Sequence, residues 1–315
     1  MPLNIGQVVR ERYQILALLG QGGMGAVYRA FDPWEQRPCA VKEMCPAPDV
    51  APDKLAGLRD QFRREAGILA TLRHLGLTRV TDYFIEGANE YLVMDFIQGK
   101  SLEDIFKEIE HTPLPEPQVM AWARELLDTL AYIHSCGVIH RDIKPANIRV
   151  TVEGHVVLVD FGLVKLWDPR NPATLMALRG AGTPQFAPPE QMDSSFGHTD
   201  ARSDVYSLGA TLYTLLTGYA PPLVNERMFR DVRVPPLRSY VHSISPHVEK
   251  AILKSLALKP AQRFQSALEM RAALDRRSSR ANLTPPLWAW VLLGAVVLVL
   301  LCLLVAMGVL VMLAR

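Results

Sequence analysis

The chain has 315 residues, 49% hydrophobic and 21% charged, with a formal net charge of +2. That near balance excludes the electrostatic footprint of a nucleic-acid binder, and no nucleic-acid partner is expected. Four cysteines (Cys39, Cys45, Cys136, Cys302) lack metal-ligand spacing and the eight histidines form no H-x-x-x-H cluster, which argues against a zinc site and for free thiols.

In chain order, the N-terminus "MPLNIGQVVRERYQ" lacks the basic-then-apolar pattern of a secretory signal. The first hundred residues read mainly as strands: "YQILALLG" and "AVYRAF" flank a glycine cluster, and "RPCAVKEM" and "EYLVMDF" follow as short apolar runs. Gly20, Gly22 and Gly25 have G-x-G-x-x-G spacing, with Val27 two residues later. A strand-like segment follows instead of a helix, which favours a hairpin whose amides lie over phosphates. Ala40 and Lys42 fall on the third strand-like segment, where a lysine is a point charge suited to phosphate oxygens. A helix is expected from about Lys54 to His74, with Leu55, Leu58, Phe62, Leu69 and Leu72 on its apolar stripe. Glu65 occupies the missing slot in that stripe. A carboxylate facing a core needs a cation, and Lys42 is the evident partner.

From Ser101 onward helical patterns dominate, with "PEPQVMAWARELLDTLAYIHSCG", "ARSDVYSLGATLYTLLTG", "SPHVEKAILKSLAL" and "FQSALEMRAALDRR" as the main segments. A strand-rich first lobe and a helix-rich second lobe imply an α+β architecture with a cleft between them. Residues 277–286 read as a polar, proline-marked linker. From Leu287 to Leu313 no side chain is charged, enough to cross a bilayer whose core needs roughly 20 apolar helical residues. Trp288 and Trp290 stand at its start, and Arg276, Arg277 and Arg280 precede it, which predicts a cytoplasmic N-terminal part. Only Ala314 and Arg315 follow, so the run is expected to be a location device, not the stem of an external sensor.

Two further motifs carry the chemistry. "HRDIKPAN" places Asp142 and Asn147 five apart with Lys144 between them, and "VDFGL" supplies Asp160, Phe161 and Gly162. Together with the glycine loop, Lys42 and Glu65, these motifs make residues 10–276 resemble the bacterial, Hanks-type, membrane-anchored serine/threonine protein kinases. The resemblance implies a two-lobed kinase fold, with the N-lobe to about residue 95 and the C-lobe from about 96. It implies ATP and Mg²⁺ (with Mn²⁺ as the alternative) as cofactors and protein hydroxyls as substrates.

The resemblance also assigns roles. Asp142 would accept the substrate hydroxyl's proton and Lys144 would neutralise the transferring group. Asn147 and Asp160 would hold the metal. Gly20, Gly22, Gly25, Val27, Ala40, Lys42, Glu65, Met94, Asp95 and Ile97 would line the nucleotide site, with the hinge at Asp95–Ile97. His140 would be a packing residue beneath Phe161. In "GTPQFAPPE", Thr183 would lie near Asp142 and Glu190 would pair with Arg263, although Pro188 replaces the alanine of the A-P-E motif. Asp204 would brace the catalytic loop. Arg141 would receive a phosphate on Thr174, expected as an autophosphorylated switch. Ser278, Ser279 and Thr284 read as part of a solvated linker.

Arg149 departs from the family, which places an apolar side chain there beneath adenine. Its stem is expected to cover the base while its head reaches solvent or a carboxylate. A homodimer through the N-lobe or the membrane helix is compatible with the resemblance, and contact with the bilayer through 287–313 is expected. The alternative function is a catalytically silent, nucleotide-binding membrane scaffold. Against it stands the complete charged set of Lys42, Glu65, Asp142, Lys144, Asn147 and Asp160. "GTPQFAPPE" likewise disfavours a small-molecule phosphotransferase.

Overall fold

A computed structural model describes residues 3–22, 25–44, 63, 66–87, 89–159, 184–193 and 196–275. They lie within one compact unit, Met1–Asp275. The N-terminal part is a six-stranded antiparallel sheet in the order β1-β2-β3-β4-β6-β5. Its strands are β1 (Val8–Val9), β2 (Tyr13–Gly22), β3 (Gly25–Asp32), β4 (Arg37–Met44), β5 (Val80–Glu86) and β6 (Asn89–Asp95).

Alternation along β4 sorts its side chains between two cores. Cys39 and Val41 belong to a small core with Tyr13, Ile15, Tyr28, Phe84, Tyr91 and Val93, whereas Ala40 and Met44 join the main core with Leu92 and Met94. Lys42 lies between Ala40 and Met44 and therefore shares their face, while Glu43 shares the face of Val41. A one-residue slip would exchange these two side chains, so the two buried cores fix which residue can face the main core.

The C-terminal part is built from helices α1 (Leu102–Glu108), α2 (Glu116–Ser135), α3 (Pro189–Met192), α4 (Ala201–Thr217), α5 (Val224–Phe229), α6 (Pro246–Ser255) and α7 (Ala267–Asp275). Helix α4 is buried from Ser203 to Thr217. Four of its hydroxyls bond within the helix: Ser207, Thr211, Thr214 and Thr217 each donate to the carbonyl four residues earlier, at 2.8–3.1 Å. A Cβ at Gly209 would meet Ser255 Oγ at 1.9 Å, so this glycine lets α6 approach the backbone of α4.

A second sheet, β7 (Gly99–Ser101), β8 (Ile148–Thr151) and β9 (Val156–Leu158), joins the segment after β6 to the loop after α2. The sequence pattern does not announce it, because three or four residues are too few to display a period. A Cβ on Gly99 (φ 144°) would sit 1.9 Å from the Val150 carbonyl oxygen, so this close strand contact depends on glycine.

The expected helix from Lys54 to His74 ends early. Residues 66–69 are helical, and the chain then tightens through turns at Thr71 and Leu72. Beyond them the Arg73 N–H donates to the Tyr132 hydroxyl at 2.8 Å and the Gly76 N–H to His74 Nδ1 at 3.0 Å. One tertiary and one local side-chain partner replace the next helical turn. Residues 54–62, 64 and Glu65 lie outside the described residues. Among the described residues no helix is long and apolar enough to cross a membrane, and the expected linker 277–286 and span 287–313 lie outside them.

Candidate active site

The main-core face of the N-terminal sheet brings together most of the expected nucleotide-site residues. Gly20 pairs with Val27, Gly22 with Gly25, Val27 with Lys42, and Ala40 with Met94. Ala40 and Met94 are buried and Val27 packs against the same core. Residues 23 and 24, between Gly22 and Gly25, lie outside the described residues, as does Glu65.

Asp95 ends β6, and its N–H donates to the Arg79 carbonyl at 2.9 Å. Its carboxylate is paired with Arg37 and, at 3.1 Å, with Arg79 Nε. These contacts anchor the start of the expected hinge, which continues through Ile97 toward β7.

The loop between α2 and β8 carries the second group. One oxygen of Asp142, Oδ2, accepts from Asn147 Nδ2 at 2.7 Å and faces Lys144 Nζ at 2.9 Å. The Asn147 amide nitrogen also donates to the Asp142 carbonyl at 2.8 Å. With its nitrogen committed to Asp142, the amide turns its oxygen away, as a hard-cation ligand requires. The Val159 N–H donates to the Asn147 carbonyl at 2.9 Å, which ties the end of the described segment to this loop. Asp160, Phe161, Gly162, Thr174 and Thr183 lie outside the described residues.

The backbone of this loop is held from below by Asp204, fully buried near the start of α4. Its carboxylate accepts from the His140 N–H at 2.9 Å, the Arg141 N–H at 2.8 Å and His134 Nε2 at 2.8 Å. Burial alone would raise its pKa, but the bond from His134, the nearby histidines and the Arg141 amide outweigh it and hold the carboxyl below its usual range. His140 is itself buried, and its Nδ1 lies 3.4 Å from the Asp142 nitrogen.

Glu190 and Arg263 form a buried bidentate pair at 2.6 and 2.9 Å. The remaining donors of Arg263 reach the carbonyls of Ala257, Leu258 and Arg202 at 2.8–3.2 Å, so all five N–H groups are matched. Ser203 Oγ also donates to Glu190, at 2.7 Å. Pro188, in place of alanine, caps α3 in an extended conformation and leaves the pair intact.

Arg149 makes a contact that the sequence did not suggest: Nη2 of its partly exposed side chain donates to the carbonyl of Gly99. Arg149 is paired across the strands with Ser101, two residues after Gly99 on β7. Asp104 nevertheless feels its charge. His134, Ser203, Gln191 and Gly99 were not singled out by the sequence. Their partners are 50 to 70 positions away in every case but Ser203, so no local spacing marks them.

The protein kinase domain family matches residues 13–273. The serine/threonine-protein kinase PknB of Mycolicibacterium smegmatis is 38% identical over 285 residues, covering 86% of this chain and 43% of that protein. PknL of Mycobacterium tuberculosis is 34% identical over 275 residues, covering 84% of this chain and 65% of its own length. The chain thus spans less than two thirds of these relatives. Among solved structures, the kinase domain of Mycobacterium tuberculosis PknI is 27% identical with a TM-score of 0.67, covering 87% of this chain and 98% of that domain. With the fold, the Asp142 cluster and these relatives in agreement, the chain belongs to the protein kinase family.

Proposed function

We propose that this chain is a serine/threonine protein kinase that transfers the γ-phosphoryl of ATP to protein hydroxyls. The observation that carries this reading is the Asp142 carboxylate, held through one oxygen by Lys144 at 2.9 Å and Asn147 at 2.7 Å. With Oδ2 so engaged, Oδ1 takes the hydroxyl proton. The hydroxyl oxygen then bonds to the γ-phosphorus, the bond from that phosphorus to the bridging oxygen breaks, and ADP departs. Lys144 offsets charge on the transferring group, and Lys42, beside Ala40 on the main-core face, serves the phosphates of ATP.

Asn147 and Asp160 offer oxygen donors that suit Mg²⁺, with Mn²⁺ as an alternative. When bound, the metal neutralises the phosphate oxygens. Gly20, Gly22, Gly25, Val27, Ala40, Met94, Asp95 and Ile97 form the purine and phosphate cradle, and Glu65 orients Lys42. A silent scaffold has no use for the Asp142 cluster. The uncharged run 287–313 supports anchoring at the cell membrane with the kinase domain cytoplasmic. Residues 10–276 are the catalytic domain of this reading.

The test is phosphate incorporation from labelled ATP and Mg²⁺ into a generic basic protein. Asp142→Asn and Lys42→Met should each lower the rate by about 10²–10⁴-fold. Equal incorporation by wild type and both variants would exclude the kinase. For regulation, Arg141 stands next to Asp142, where it is suited to receive the phosphate of an autophosphorylated Thr174. Peptide mapping of active protein should find phosphate on Thr174; consistent absence would remove that switch.

A further inference from the structure

Arg141, immediately before Asp142, has a left-handed backbone with φ 67°. A residue with a Cβ is uncommon there, and such a conformation persists only where its surroundings over-determine it. Both peptide groups of Arg141 are gripped by distant side chains. Its N–H donates to Asp204 Oδ1 at 2.8 Å, and its carbonyl accepts from Gln191 Nε2 at 2.8 Å. The two grips share one base. Gln191 follows Glu190 on α3, Asp204 follows Ser203 on α4, and Ser203 Oγ donates to Glu190 at 2.7 Å. Arg263 locks Glu190 from the other side at 2.6 Å.

The carbonyl held by Gln191 lies in the same rigid plane as the N–H of Asp142. Rotation of that plane changes ψ of Arg141 and φ of Asp142, and so the direction in which the Asp142 side chain leaves the backbone. We propose that Gln191 is a positioning residue for phosphoryl transfer: its amide fixes the Arg141–Asp142 peptide plane and thereby aims the Asp142 carboxylate. The proposal rests on Asp142 as the proton acceptor. Gln191 acts through the peptide, so its loss slows the chemical step and leaves nucleotide and protein binding unchanged.

The experiment compares the full chain with Gln191→Leu, which keeps the size and removes the donor, and Gln191→Glu, which sets a carboxylate against the carbonyl. With ATP and myelin basic protein as probes, kcat should fall by about 10–100-fold in both. KM for either probe should stay within about twofold, and the melting midpoint should not move. Amide hydrogen exchange in a peptide covering 138–144 should accelerate while exchange within α4 is unchanged. The proposal is overturned by kcat within twofold of wild type in both variants, by kcat losses that track a lowered melting midpoint, or by unchanged exchange at 138–144. If wild type itself transfers no phosphate, the kinase reading fails separately. Exchange then decides whether Gln191 holds the Asp142 backbone.

Discussion

Glu43 in the sheet and Glu190 in the helical part are both 1% exposed, yet they are satisfied by different chemistry. Glu43 accepts from three neutral groups: the hydroxyls of Tyr28 at 2.9 Å and Tyr91 at 3.0 Å, and Asn89 Nδ2 at 2.9 Å. Glu190 accepts from a guanidinium at 2.6 and 2.9 Å and from Ser203. The difference follows from what each carboxylate holds. Glu43 faces the small core, away from Lys42, and its donors come from strands already fixed in register by backbone bonds. Glu190 instead joins α3, α4 and the loop before α7, which share no backbone ladder. Full charge and a bidentate fork supply the orientation that hydrogen-bonded strands supply elsewhere.

The largest effect should come from breaking the charged junction. Arg263→Met leaves Glu190 buried without its cation, which should destabilise the chain by about 3–5 kcal/mol. Thermal melting would check it. Adding Glu190→Gln should recover part of the loss, since the uncompensated charge is then removed. A single and double variant that melt alike would mean that Glu190 is not the source of the cost.

Removing one neutral donor from the other carboxylate is a smaller insult. Tyr91→Phe deletes one of three bonds to Glu43, and the remaining two still hold it, so about 1–2 kcal/mol should be lost. Because Glu43 faces away from Lys42, kcat for phosphate transfer should remain near that of wild type. A large fall in kcat at full foldedness would show that the small core governs the cleft face, and would erase the contrast between the two regions.

The same contrast explains what could be read in the sequence. Lys42, Asp142, Lys144 and Asn147 were legible because their geometry is local: one β-strand position, and one loop in which Asn147 reaches back five residues to Asp142. The strand and helix segments were legible from their periods, although the helix ending at 69 was drawn too long because Leu72 continues its apolar stripe while the backbone has already turned. Arg149 was recognised as a misfit, but its bond to Gly99 was not foreseen. Its partner is a main-chain carbonyl, and main-chain groups carry no sequence signal. Glu43 drew no reading of its own, because nothing in β4 itself shows that β3 and β6 will present phenols to it. Gln191 and His134 were invisible for a related reason: they are ordinary polar residues whose meaning arises only when α3 and α2 arrive beside the loop.

The smallest effect concerns pH and again separates the regions. In the sheet, Asp32 is buried and accepts from Arg12 Nε and Nη2 at 2.9 and 2.6 Å, with the Trp34 N–H at 3.0 Å. The Arg12 bond is the main reason its carboxyl lies below the usual range, with burial opposing it. A depressed carboxyl adds stability that is fully present above the unfolded value, about 3.9, and is lost as pH falls through the lower folded value. Asp32→Asn should therefore melt below wild type at neutral pH, by about 1 kcal/mol, and the gap should close only below about pH 4. Asp204 is depressed in the same direction, so Asp204→Asn should show the same window. Only Asp204 also holds the amides of His140 and Arg141, so its substitution should lower kcat at neutral pH while Asp32→Asn leaves kcat unchanged. If both variants lost activity in proportion to stability, the helical part would have no special hold on the loop, and its buried charges would be cement like those of the sheet.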